Sequence, residues 1–249
     1  MCTVSFIARR GGYLLGMNRD EKLSRVKGLS PEFSSVNGRK ILCPSEPGGG
    51  TWIALNETGA TLALINWYSI TARVQTSPSS RGEIVKTTAF ASNPGEAEGA
   101  LKNLPLVRTN PFRLIGIFPV GREIVEWQWN LKTLVRRDHG WRTHQWISSG
   151  FDELLAQRVR SKTFREASCL CSAGRLEWLR RLHRSHSPER GPFSTCMHRA
   201  DAATVSYTEI VVSSRRAVMR HCVSAPCESR RFSTDQFDFP LTNPAVAAH

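Results

Sequence analysis

The 249-residue sequence has no long apolar run and no internal repeat. No stretch approaches the ~18–20 apolar residues that span a bilayer, so no transmembrane helix is predicted. The first residues alternate in polarity and soon reach Arg-Arg-Gly-Gly, unlike the basic-then-apolar pattern of a secretory signal. Because no linker-like change of composition occurs either, we expect a single domain over residues 1–227 and a polar, poorly ordered tail over 228–249.

The sequence also lacks a disulfide framework. Its seven cysteines are odd in number and irregularly spaced, and a chain of this length can bury a core without disulfides. Reduced thiols suit a reducing compartment. We therefore expect cytoplasmic residence, with mitochondrial association as the alternative for a eukaryotic source.

Lysine is scarce, and the formal net charge of +13 comes from 27 arginines against 7 lysines. Attraction to nucleic acid, phosphorylated cofactors or lipid headgroups is one interpretation. A solvated arginine-rich surface is the other. No basic run with interleaved aromatic residues and no nucleic-acid-binding motif accompanies the charge. We therefore expect no nucleic-acid partner.

The N-terminal stretch is where the sequence points to chemistry. Two β-prone runs, 3–8 and 13–17, are joined by a glycine-containing turn and predict a hairpin. The hairpin would bring residues 18–21 beside Cys2. Removal of Met1 would leave a thiol and a free α-amine on one carbon, and an amine of pKa ~7.7–8.0 could accept the thiol proton. We predict Cys2 as a nucleophile; the alternative is an ordinary strand residue with Met1 retained.

Polar residues near that end supply the other candidates. Asp20 could orient the amine or thiol, and Arg19 could hold a substrate carboxylate or phosphate. Asn66 ends a buried apolar strand, where its amide must find partners. Its NH2 could donate to an oxyanion. The alternatives are a solvated turn for the charged cluster and a structural turn for the amide. Further substrate contacts are expected from Asn18, Glu21 and Trp67.

The rest of the chain alternates predicted strands and helices. Residues 22–50 are turn-rich, with one short strand at 40–43, and 51–67 form a second hairpin, apolar enough to lie buried between layers. An apolar pattern at positions 151, 154, 155 and 159 predicts one face of a helix. Later strands are expected at 114–120, 123–129, 131–135, 144–148, 203–212 and 217–222, and helices at 84–91, 94–104, 151–167 and 176–183. This order suits a single α+β domain with helices packed on antiparallel sheets.

Histidine and cysteine pairs in the second half raise the question of a metal. Cys169-x-Cys171 followed by His183-x-x-His186 resembles a zinc finger, but both pairs are tighter than the finger spacing of C-x2–4-C and H-x3–5-H. We therefore predict no metal site. An alternative set of soft ligands, for a haem, is His144, Cys196, Met197 and His198.

Several motifs in combination resemble those of the NRDE family, also called transport and Golgi organisation 2. They are the initial Met-Cys-Thr-Val-Ser-Phe, the Asn-Arg-Asp-Glu at 18–21, Gly-Gly-Thr-Trp at 49–52, Asn-Glu-x-Gly at 56–59 and Leu-Ile-Asn-Trp at 64–67. Later stretches at 146–150, 196–199 and 204–207 look like the C-terminal half of that family. The family is similar to N-terminal-nucleophile hydrolases of the choloylglycine and penicillin-acylase type. The resemblance implies a four-layer α-β-β-α sandwich of two antiparallel sheets, with the nucleophile at the start of a central strand.

The resemblance also implies roles for three residues. Cys2 matches the nucleophile, Asp20 the carboxylate that binds its amine, and Asn66 an oxyanion-hole amide. Two departures stand out. The hydrolases have an arginine where this chain has Met17, and their second asparagine would fall near Ser148 or Ser149.

Two functions are therefore expected from the sequence. The first is a cysteine amidohydrolase or acyltransferase that acts on a small acyl amide or thioester without a cofactor. The second is a non-catalytic carrier that binds haem or an acyl-lipid in the same pocket.

Overall fold

The computed structural model describes residues 2–229 and 235–242, which contain thirteen strands and four α-helices. The strands are β1 Cys2–Arg9, β2 Gly12–Lys22, β3 Leu29–Val36, β4 Arg39–Ser45, β5 Ile53–Asn56, β6 Thr61–Asn66, β7 Phe112–Phe118, β8 Glu123–Trp129, β9 Leu134–His139, β10 His144–Ser148, β11 Ala202–Val212, β12 Arg216–Cys222 and β13 Asp235–Pro240. The helices are α1 Gly82–Thr88, α2 Pro94–Lys102, α3 Glu153–Ser168 and α4 Leu176–Arg184.

The strands form two sheets in which all neighbours are antiparallel. One sheet has the order β10-β1-β2-β11-β12-β13, and the other runs from β3 to β9 in sequence order. In the first sheet Cys2 lies opposite Arg19 of β2 and opposite Ser148 of β10. The predicted N-terminal hairpin is confirmed, and it places Cys2 at the start of a strand with a neighbour on either side.

Three apolar layers separate four layers of secondary structure. Between the sheets, Val4 and Phe6 of β1 pack with residues of the second sheet such as Ile65 and Ile115. On the outer face of the second sheet, α1 and α2 bury Ile84, Val85, Ala97 and Leu101. On the outer face of the first, α4 buries Trp178, Leu179 and Leu182 against β1 and β2. The expected α+β fold, a four-layer α-β-β-α sandwich, is confirmed.

Two strands contradict the sequence prediction. Residues 29–36 were expected to be loop, but they form β3 at the edge of the second sheet, mostly exposed and interrupted by Pro31. Proline is tolerated in edge strands, and an exposed strand shows no apolar pattern, so the prediction missed it. Within the tail expected to be poorly ordered, residues 235–240 form β13 against β12, and Phe239 reaches the central core. The parts of that tail at 230–234 and 243–249 lie outside the described residues.

Helix α3 forms as predicted, but its buried face is different. The side chains of Glu153, Ala156 and Arg160 are buried, whereas Leu154 is 69% exposed. The apolar pattern therefore indicated the wrong face, because two of the inward positions hold charged residues. Among the described residues, no helix is both long and apolar enough to cross a membrane.

Candidate active site

A cavity of about 320 Å³ lies at the start of β1 and contains most of the predicted site. Its lining includes Cys2, Arg19, Asp20, Glu21 and Asn66, which are five of the seven predicted residues. The lining also includes Glu46, Thr51, Trp52, Ser80, Arg81 and Asn110. The fold therefore joins the end of β2, the end of β6 and two loops around one thiol.

Cys2 is buried, with 6% of its surface exposed. Burial raises the pKa of its thiol, and the nearby Asp20 carboxylate raises it further, while Arg19 and the backbone N–H of Asp20 oppose the rise. At neutral pH the sulfur is therefore protonated. A reaction at this thiol needs a base that removes the proton as the sulfur attacks.

Asp20 is fixed by buried partners on the helix side of the sheet. Thr204 of β11 donates to Oδ1 at 2.6 Å, and Arg160 of α3 donates to Oδ2 at 3.2 Å. The same Arg160 nitrogen donates to Thr3 of β1 at 2.8 Å, and both charged side chains of the pair are fully buried. The ion pair thus ties α3 to the two strands that carry the predicted nucleophile and its carboxylate.

Arg19 lies on the cavity side of β2 with its charge already balanced. Its guanidinium donates to Glu46, and it lies 3.6 Å from a carboxylate oxygen of Glu21. It also stacks on Trp52, with 4.3 Å from Cζ to the ring centroid. These contacts orient Arg19 rigidly and leave it little net charge to offer a ligand.

Glu21 completes this charged wall. Burial alone would raise the pKa of its carboxyl, but neighbouring positive groups that include Arg25 and Arg19 hold it below its ordinary value. Arg25 bridges Glu21 and Glu46 at 3.0 Å each. Glu21 therefore stays ionised as part of a network of alternating charges.

Asn66 ends β6 with its amide beside the loop that follows. Its Nδ2 donates to the Tyr68 hydroxyl at 2.8 Å. Ser69 lies three residues beyond the end of β6. Its backbone N–H donates to the Glu153 carboxylate of α3 at 2.5 Å. Since an amide NH2 carries two N–H groups, one remains for a further acceptor beyond Tyr68.

Arg81 is a cavity residue that the sequence analysis missed. Burial lowers the pKa of its guanidinium, and its side chain donates to the Pro111 carbonyl at 3.3 Å. Within residues 2–229 and 235–242 it forms no ion pair with a carboxylate. The loop that carries it lies close against residues 50–51, because a Cβ on Gly82 would meet Gly50 Cα at 2.7 Å. Only the charge of Arg81 was visible in the sequence, not this packing.

Two predicted substrate contacts are not cavity residues. Asn18 faces the helices: its Nδ2 donates to the carbonyls of His183 and Thr195 at 2.9 and 2.8 Å, and its Oδ1 accepts from His183 Nδ1 at 3.0 Å. The pKa of His183 is about 3, because burial and the charge of Arg160 disfavour its protonated form. Asn18 is therefore a structural amide, because its side-chain nitrogen and oxygen are both engaged by residues outside the cavity. Trp67 donates its backbone N–H to Pro111 and does not line the cavity.

Ser148 occupies the region where a second asparagine was sought. It lies opposite Cys2 on β10, is fully buried, and its Oγ has no hydrogen-bond partner among the described residues. A buried hydroxyl without a partner is uncommon. Ser148 does not line the cavity, so the structure places no second amide or hydroxyl of β10 at the site.

Comparison with known families and structures identifies the fold. The sequence profile of the Transport and Golgi organisation 2 family matches residues 1–136, more than half of the chain. The chain belongs to this family. No curated protein sequence matches it.

Solved structures that resemble this family member are N-terminal-nucleophile hydrolases. Penicillin V acylase from Agrobacterium tumefaciens is 11% identical, with a TM-score of 0.52 over 97% of this chain and 86% of that one. A mutant of the conjugated bile acid hydrolase from Clostridium perfringens is 10% identical, with a TM-score of 0.52 and 96% of each chain covered. At these identities the likeness establishes a shared fold and nothing finer.

Proposed function

We propose that this family member is a cysteine N-terminal-nucleophile amidohydrolase or acyltransferase that acts on a small acyl amide or thioester. The observation that supports it is the position of Cys2. The residue that becomes N-terminal when Met1 is removed lines a cavity together with Asp20 and Asn66. Met1 lies outside the described residues, so its removal is part of the proposal.

In the proposed reaction the α-amine of Cys2 takes the thiol proton while Sγ attacks the acyl carbon. An S–C bond forms, and the charge that develops on the acyl oxygen is stabilised by an N–H of Asn66 and by a backbone N–H. Collapse breaks the C–N or C–S bond, and the ammonium returns its proton to the leaving group. Water, or another acceptor, then releases the acyl group from Cys2.

Asp20 would orient the amine, and burial of the thiol explains why a base is needed. Burial raises the pKa of the Cys2 thiol and so disfavours a thiolate before the attack. The Asp20 carboxylate is held by Thr204 and Arg160 and is close enough to raise the pKa of the Cys2 thiol, so it supplies a fixed negative charge near residue 2.

Arg81, and not Arg19, is the group we propose to bind an acidic part of the substrate. Arg19 is paired with Glu46, whereas Arg81 faces the cavity with no carboxylate partner in the described part of the chain. A half-buried guanidinium without a counter-ion favours a ligand that supplies a carboxylate or phosphate. The proposed substrate is therefore a small acyl compound with an anionic group.

The alternative, a haem or acyl-lipid carrier, has less support. None of the four soft ligands named for haem (His144, Cys196, Met197 and His198) lines the cavity. The ring of His144 packs against His139 and Trp146. We also keep cytoplasmic residence as a proposal, because all seven cysteines are unpaired.

The test is turnover of a panel of acyl amides and acyl thioesters, with and without a carboxylate on the substrate. We expect the Cys2→Ala variant to lose turnover and the Cys222→Ala variant to keep it, since Cys222 is equally buried but outside the cavity. Equal activity of the Cys2→Ala variant and the parent chain would contradict the proposal.

A further inference from the structure

Four metal-binding side chains converge outside the cavity. His186, Cys196 and His198 belong to the connection between α4 and β11, and Cys227 follows β12. One possible ligand atom from each lies within 4.8 Å of the corresponding atom of every other. Cys196 is buried and the other three are half-buried, so the group is enclosed without being sealed.

The separations match tetrahedral zinc coordination. The Nε2 atom of His198 lies 3.6 Å from Cys196 Sγ and 3.4 Å from Cys227 Sγ. With Zn–S bonds of about 2.3 Å and Zn–N bonds of about 2.0–2.1 Å, a tetrahedron places a sulfur and a nitrogen roughly 3.6 Å apart. The imidazole and the two sulfurs are thus already near the positions that one ion requires.

His186 supplies an independent observation. Its Nε2 atom is buried and has no hydrogen-bond partner among the described residues, and its ring centroid is 5.0 Å from that of His198. Buried ring nitrogens usually have a partner. A nitrogen left without one, next to two free thiols, is explained when a metal ion is its missing partner.

The local backbone holds the group in place without the metal. The N–H of Cys196 donates to the Ser185 carbonyl at 3.0 Å, and the N–H of His198 donates to the Gly191 carbonyl at 3.2 Å. The connection between α4 and β11 is therefore folded so that its three candidate ligands face Cys227. A largely preformed site lowers the ordering cost of binding.

We propose that His186, Cys196, His198 and Cys227 bind one zinc ion with two thiolates and two imidazoles. A set of four protein ligands leaves no open position, which is typical of structural zinc. The ion would fasten the segment that leads to β13 onto the segment that precedes β11. The Arg190 guanidinium, 3.3 Å from His198 Nδ1, would turn away, because that nitrogen carries the ring proton when Nε2 binds the metal.

The site differs from the finger-like pairs considered in the sequence. Cys169 and Cys171 are exposed, and His183 is bonded to Asn18. The prediction that the chain has no metal site rested on the spacing of those pairs, and Cys196 and His198 were considered only as ligands for a haem. Of the finger-like residues, the proposed site uses only His186.

The experiment is metal analysis of the full chain, purified under reducing conditions and dialysed after incubation with zinc. We expect one zinc ion per chain. We expect Cys227→Ser to weaken zinc affinity by more than about 100-fold, beyond the loss typical of outer-sphere changes. The matched control is the double variant Cys169→Ser with Cys171→Ser, which should bind zinc like the parent chain. His186→Gln serves as a second test of the site.

The circular dichroism of each variant shows whether it has folded. Zinc that stays stoichiometric in folded Cys227→Ser and His186→Gln would overturn the proposal. A parent chain that binds no zinc would also overturn the proposal. The same holds if its intact mass is lower by two hydrogens because Cys196 and Cys227 have formed a disulfide and no zinc is bound.

Discussion

Replacing Arg160 by methionine tests the ion pair that lies beneath the proposed nucleophile. Methionine keeps much of the apolar length of the side chain and removes the guanidinium. The change deletes three hydrogen bonds, to Asp20, Thr3 and the Pro192 carbonyl. The Asp20 carboxylate would then stay buried with the Thr204 hydroxyl still bound to it.

The expected loss follows from the burial of both charges. Asp20 and Arg160 are each 0% exposed. Removing one partner of such a pair leaves an uncompensated buried charge, which typically costs about 3–5 kcal/mol. For a chain of this size that corresponds to a fall in Tm of roughly 6–20 °C. Replacing both residues, with Asp20→Asn added, should recover part of the loss because no charge is then left unpaired.

Urea unfolding at pH 7, followed by circular dichroism, measures the loss. The matched control is Lys162→Met on the same helix, which removes a cation paired with Glu166 at 3.8 Å but 71% exposed. We expect that control to change the free energy of unfolding by less than about 0.5 kcal/mol. If the free energies of unfolding of Arg160→Met and Lys162→Met differed by less than about 1 kcal/mol, the buried ion pair would not stabilise the site as described.

Three further predictions concern pH and catalysis. Burial alone would raise the pKa of Glu126, but hydrogen bonds and charge from His139 and Arg113 hold it at about 2, below its ordinary 4.5. The ionised carboxylate therefore adds roughly 3 kcal/mol to the free energy of unfolding. This contribution is present above about pH 4.5 and is lost as the pH falls towards 2. Urea unfolding from pH 7 to 2 should show the gap between parent and Glu126→Gln closing over that window, with Glu98→Gln, at the partly exposed Glu98, showing little gap at any pH. Steady-state kinetics should show Arg81→Met raising KM about 10- to 100-fold for anionic substrates only, since a hydrogen bond to a charged group contributes about 1.5–3 kcal/mol. In the same assay Asn66→Ala should lower kcat about 10²- to 10³-fold, whereas Tyr68→Phe, which removes only the hydroxyl bound to Asn66, should lower it less than tenfold.

Each of these has a contradicting result. A gap for Glu126→Gln that persists unchanged at pH 2 would mean that the carboxylate is not held ionised by its partners. Equal KM changes for neutral and anionic substrates would remove Arg81 as the anion-binding group. An Asn66→Ala variant with unchanged kcat would remove its amide from the oxyanion site.

The fold was predictable where alternation and turns mark the strands. Strand β10 has the predicted bounds His144–Ser148, and the hairpin of β1 and β2 follows from its glycine-containing turn. Strand β3 was missed because an exposed edge strand has no apolar pattern to read. Strand β9 was displaced by about three residues, since it too is mostly exposed.

The candidate site was partly predictable for a related reason. Cys2 and Asp20 come together because the register of the β1–β2 hairpin determines their neighbours, and that register can be inferred from the sequence. Asn66 belongs to the other sheet, so only the packing of one sheet on the other brings it to the same cavity. Arg81 and Glu46 come from loops, whose paths no periodicity specifies. The metal-binding group joins Cys227 to residues about 30 to 40 positions earlier, and only tertiary packing brings such residues together.

The most direct test of the account is the intact mass of the full chain during reaction with a slowly hydrolysed acyl thioester. We expect a chain without Met1 that carries one acyl group, located on Cys2 by peptide mapping, although Cys169 and Cys171 are far more exposed. A chain that keeps Met1 and leaves Cys2 unmodified, or that is acylated only at the exposed cysteines, would contradict the central claim.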